Sequence, residues 1–179
     1  MNILLGTHAL RGYPPRTGGP PSPEARRRLL HWAKRQGFAG LEVGDWWLDF
    51  YKADPSEVMR LAEELGDNGL ELAGFNCLRK CVTHPAVAEQ NKRDLRQAVE
   101  LAGRVRAKFV NVSLSLAPSV SGCTEDALKG LQTSPGGGRS ARDEEFSEAA
   151  AFLRELAETG FAHGVKIAIE LHHCSIADS

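Results

Sequence analysis

The chain repeats one unit: a short run rich in Val, Ile and Leu, a longer segment of helical period, and then another apolar run. "NILLGTH" reads as the first strand. After a Pro- and Gly-rich loop, "SPEARRRLLHWAKRQGF" reads as a helix with Ser22 as N-cap, Pro23 at the first helical position and Gly37 as its stop. "AGLEVG", "DPSEVMRLAEELGDNG" and "LELAGFN" then give strand, helix and strand. The loop "CLRKCVTHPAVAE" leads to the helix "NKRDLRQAVELAGRVRA", the strand "KFVNVSLS", a helix over about 143–163 and the strand "VKIAIEL". Five strands alternating with four helices imply parallel neighbours, because the chain must be carried back over the sheet before each new strand. The class is α/β.

No Gly-x-Gly-x-x-Gly follows the first strand and no Gly-Lys-Ser/Thr phosphate loop occurs, which argues against a nucleotide-binding doubly wound sheet. A partial (β/α)8 TIM barrel is the better expectation. A complete barrel takes ~250 residues, so residues 1–179 are read as a single domain that stops before strands six to eight. Between 117 and 142, "APSVSGCTEDALKGLQTSPGGGRSAR" is longer than usual connections; it reads as a flexible insertion, either a lid or a solvated loop.

Composition narrows the functions. Lys and Arg number 22 against 23 Asp and Glu, a formal charge of -1 that provides no field for gripping nucleic acid or an anionic membrane. No apolar run approaches the roughly 18 residues a spanning helix needs, and the N-terminus lacks a secretory pattern, so the cytosol is the expected compartment. Cys77, Cys81, Cys123 and Cys174 are too scattered for a disulfide scaffold and are read as reduced thiols. "CLRKC" lacks the second ligand pair of a zinc site.

Side chains alternate faces along a strand, and barrel enzymes place their chemistry at the C-terminal strand ends. In the fifth strand Val165, Ile167, Ile169 and Leu171 form an apolar, helix-facing set, opposite Lys166, Ala168, Glu170 and His172. In the fourth, Val110, Val112 and Leu114 oppose Phe109, Asn111, Ser113 and Ser115. Thus His8, Glu42, Asn111, Ser113, Glu170 and His172 are expected to converge on one cavity. The third strand mixes polar and apolar residues in either parity, with Asn76 and Arg79 at or beyond its end. A buried carboxylate needs a partner, so Glu170 is read either as a salt-bridge member, for instance with Lys166, or as an oxygen ligand for a divalent ion such as Mn, Co, Zn or Mg. His172 and His173 are alternatively surface residues, Glu42 alternatively interior support, and Trp46 and Trp47 either core or an apolar wall beside a substrate.

With these residues in place, the chain resembles the xylose isomerase-like barrel superfamily, the sugar phosphate isomerase/epimerase group that also includes endonuclease IV-like members. The resemblance rests on "GFAGLEVG", "GLELAGFN" and above all "HGVKIAIELHH", and spans the chain as the first five units of eight. It implies that Glu170 is a metal ligand sharing in catalysis, and that Glu42 and His172 contact substrate or support the pocket. It implies isomerisation or epimerisation of a sugar or sugar phosphate, with proton transfer beside a carbonyl and a divalent ion stabilising the developing enediolate. Further ligands would come from strands six to eight, so this chain alone is expected to be inactive, and to need an absent C-terminal half or a homo-oligomeric partner. The alternatives are an endonuclease IV-like phosphodiesterase, against which the near-neutral charge counts, and a non-catalytic half-barrel binding module.

Overall fold

The computed structural model describes residues 3–7, 21–85, 87–114, 141–171 and 176. His8, Ser115, His172, His173, Cys123, Cys174 and residues 117–140 of the expected insertion lie outside the described residues. The elements follow the expected order: β1 (Leu4–Gly6), α1 (Pro23–Arg35), β2 (Gly40–Gly44), α2 (Pro55–Asp67), β3 (Glu71–Cys77), α3 (Ala88–Arg104), β4 (Phe109–Val112), α4 (Asp143–Ala162) and β5 (Lys166–Ile169). All neighbouring strands pair in parallel, in the order β1-β2-β3-β4-β5.

Local chemistry sets the helix ends. Ser22 Oγ accepts from the Ala25 amide at 3.3 Å, with Pro23 at the first helical position. At α2, Asp54 accepts from Ser56 N at 2.8 Å while Glu57 reaches back to Asp54 N at 3.2 Å, a reciprocal capping box. Gly37 takes a φ of 85° immediately after α1, a left-handed turn that side chains with a Cβ resist. Helix α3 starts at Ala88, before the expected Asn91. The Asn91 side chain is not a cap: it donates to the Cys81 carbonyl at 2.7 Å and fastens the β3–α3 loop to the helix.

The helices cover one face of the sheet. Leu41, Val43, Phe75, Val110 and Val112 pack there against Leu30, Val58, Leu65, Leu95, Val99 and Leu156, all fully buried in a single hydrophobic core. Phe50 stacks on Phe75 at a centroid distance of 4.7 Å. On β5 the expected helix-facing set is covered only in part. Gly160 lets α4 approach so closely that an added Cβ would lie 2.7 Å from the Val165 carbonyl, and Val165 is buried; farther along, Ile169 is 48% and Leu171 77% exposed. The cause is position: β5 is the last strand of the described sheet, and α4 reaches only its beginning. Cys77 and Cys81 are buried free thiols. Among the described residues no helix is long and apolar enough to cross a membrane.

Candidate active site at the strand ends

Register places the uncovered face residue by residue. Glu42, Gly74, Phe109 and Lys166 form one row across β2 to β5, and Gly44, Asn76, Asn111 and Ala168 form the next row toward the strand ends. A register shift between Leu41 and Glu42 settles the parity of β3: Phe75 goes under the helices, while Gly74 and Asn76 face inward. Glycines clear this face. A Cβ on Gly6 would lie 3.3 Å from Glu42 Oε2, one on Gly74 would lie 2.5 Å from the Phe109 ring, and one on Gly44 would collide with the Trp46 indole. Trp46 therefore lies over the end of β2 and is partly buried, whereas Trp47 is core. Thr7 Oγ1 accepts from Gly44 N at 2.9 Å, locking the ends of β1 and β2 together.

Three of the expected residues meet here. Asn111 Nδ2 donates to Glu170 Oε2 at 2.8 Å, and the Glu42 carboxyl lies near the same amide. Strands two apart in a flat sheet are separated by roughly 10 Å. The approach of Glu42 on β2 toward Asn111 on β4 thus spans the side-chain-free Gly74 and implies that the sheet curves toward this face. The partner of Glu170 is the Asn111 amide rather than Lys166, whose side chain is exposed. Burial pushes the Glu42 carboxyl above its ordinary value of 4.5; the nearby Asn111 and Asn76 amides oppose the rise, and the nearby Glu170 charge adds to it. Two carboxylates converge, held apart and joined by one amide.

Ser113 is 1% exposed, and its backbone links the neighbouring loop: its carbonyl accepts from Lys80 N at 3.0 Å and its N–H donates to the Cys77 carbonyl at 3.1 Å. The two further residues expected here, His8 and His172, lie outside the described residues.

A second polar group, which strand alternation did not reveal, forms around the loop after β3. Lys80 Nζ pairs with Asp94 Oδ2 at 2.7 Å, both side chains 14% exposed, and sits 3.7 Å from the Tyr51 ring centroid. Burial raises the Asp45 carboxyl, against the pull of Lys80 and with a further push from Asp49. The Cys77 thiol is pushed up to about 12, chiefly by burial. The Tyr51 hydroxyl is buried near Asp45 and Cys77 without meeting hydrogen-bond geometry to either. Lys80 and Asp94 belong to a loop and a helix, so no single-strand pattern predicts their meeting.

The donor chemistry of the strand-end group, carboxylate oxygens from Glu170 and Glu42 and an amide from Asn111, suits a hard divalent cation. Among the described residues no group of three or more His, Cys, Asp or Glu is assembled to hold one. Glu170 fits as one oxygen ligand.

The sequence profile of the xylose isomerase-like TIM barrel family matches residues 30–178. No curated protein matches the chain by sequence. Among solved structures, a xylose isomerase-like TIM barrel protein from Mycobacterium smegmatis in complex with magnesium is 18% identical, with a TM-score of 0.71 over 97% of this chain and 56% of its own. The D-allulose 3-epimerase from Methylomonas sp. in complex with D-allulose is 17% identical, with a TM-score of 0.65 over 98% and 52%. A probable 3-DHS dehydratase, AsbF, from Bacillus anthracis is 16% identical, with a TM-score of 0.64 over 99% and 55%. At these identities the likeness is one of fold, and the chain spans about half the length of the solved structures it matches.

Proposed function

Because the chain belongs to the xylose isomerase-like TIM barrel family, we propose that its strand ends form part of the site of a divalent-metal-dependent isomerase or epimerase acting on a sugar or sugar phosphate. The observation that carries this reading is the meeting of Glu42, Asn111 and Glu170 on one inward face. Glu170 offers carboxylate oxygen to the cation. Mg, Mn, Co or Zn, completed by ligands beyond the described residues, would polarise oxygens next to a carbonyl. Asn111 orients both carboxylates, leaving Glu42 to accept substrate hydroxyls. A carboxyl whose proton affinity is lifted by burial is also better suited to exchanging a proton with a hydroxyl or an adjacent carbon. Ser113, His8 and His172 belong to the same proposal as substrate-binding residues.

Relatives bound to magnesium and to D-allulose support the cation and substrate class. Since the chain spans about half their length, binding is proposed for this part and turnover for a complete domain. Isothermal titration with Mn2+ tests the reading. One-site binding is expected, weakened at least about tenfold in Glu170→Gln, the lower end of what even a supporting group beside a metal is worth. Affinity indifferent to Glu170→Gln, or no binding, would overturn it.

A further inference from the structure

Asn76 lies at the inward end of β3 and is only 5% exposed. Its carboxamide lies close to the Glu42 carboxylate, on the same inward face of the neighbouring strand. A carboxamide offers one oxygen acceptor, Oδ1. That oxygen meets no hydrogen-bond donor among the described residues. Its row neighbours have none to spare: Gly44 has no side chain and is covered by Trp46, and the Asn111 amide is committed to Glu170. A buried amide oxygen without a donor destabilises a fold, and an aliphatic side chain of similar size would avoid that cost. The unmet acceptor therefore points to something that arrives from outside.

We infer that Asn76 is a specificity-determining binding residue whose Oδ1 accepts a hydrogen bond from one hydroxyl of a polyol, the adjacent hydroxyl being taken by Glu42. A vicinal diol fits because Asn76 and Glu42 face inward on adjacent strands with their polar ends close together, an amide oxygen and a carboxylate for two neighbouring donors. The inference rests on the sugar reading of the strand ends and names which residue of β3 reads the substrate.

The test is nuclear magnetic resonance titration of the 179-residue chain with D-allulose and its monodeoxy analogues, in the wild type and in Asn76→Ala. In the wild type, D-allulose is expected to shift the Asn76 side-chain amide signal, and one monodeoxy analogue to bind about tenfold more weakly, the worth of one buried hydrogen bond. In Asn76→Ala, D-allulose and that analogue should bind equally. If the wild type binds D-allulose while the affinity ratio of every analogue is unchanged by Asn76→Ala, the inference fails and the sugar reading stands. If the wild type takes no D-allulose, the sugar reading fails and the inference with it. Should Asn76→Ala not fold, the wild-type signal decides: an Asn76 amide unmoved by bound D-allulose overturns the inference.

Discussion

Replacing Asn111 by leucine removes the amide that joins Glu42 and Glu170 while nearly conserving volume. A hydrogen bond to an ionised group contributes about 1.5–3 kcal/mol. Asn111 makes one, to Glu170, and its amide also lies near the Glu42 carboxylate, but both carboxylates are only partly buried, so water replaces some of what is lost. The expected destabilisation of Asn111→Leu is about 2 kcal/mol at pH 8, or ~4–8 °C in Tm for a chain of this length. The loss should shrink at pH 4, where a protonated Glu42 gains less from the nearby amide and repels Glu170 less. Urea denaturation at the two pH values, followed by circular dichroism, measures both numbers. An Asn111→Leu chain as stable as wild type at pH 8, or equally destabilised at both pH values, would refute the bridging role.

Other perturbations read the same face and its surroundings. The raised Glu42 pKa means the folded chain holds that proton more tightly than the unfolded one. Its stabilising effect is full below 4.5 and is lost as pH rises through the raised value; Glu42→Gln should match wild type near pH 4 and exceed it at pH 8 in thermal melts, and the opposite order would contradict the burial. Gly74→Ala drives a methyl group into the Phe109 ring and should cost about 1–3 kcal/mol; denaturant midpoints no lower than wild type would count against the packed inward row. Asp94→Asn strands the Lys80 ammonium over Tyr51 and should cost about 2 kcal/mol, at the lower side of buried pairs because both partners keep some solvent, with most of it recovered in Lys80→Met/Asp94→Leu. A double variant no more stable than Asp94→Asn would contradict that.

The order of elements was legible because local signals agreed. Ser22, Asp54 and Gly37 stand where the helix ends are, and the alternation in β4 assigns Val110 and Asn111 to opposite faces without ambiguity. Family resemblance marked Glu170 and Glu42, and the structure brings both to Asn111. Asn76 was harder to place. A register shift against β2 breaks the simple two-residue period, so the parity of β3 becomes visible only once its neighbours are in position. The Lys80–Asp94 pair was hidden for a different reason, since a loop and a helix meet there through folding of the chain rather than through any repeat. Exposure of Ile169 and Leu171 follows from what lies beside β5, which no pattern within the strand encodes.

The convergence of carboxylates from β2 and β5 is tested most directly by following the Glu42 side-chain carboxyl carbon through a pH titration by nuclear magnetic resonance. Its midpoint is expected above 4.5 in the wild type, lower in Glu170→Gln, where the neighbouring charge is gone, and higher in Asn111→Leu, where the amide that favours the ionised form is lost. A midpoint near 4.5 that ignores both substitutions would contradict the account.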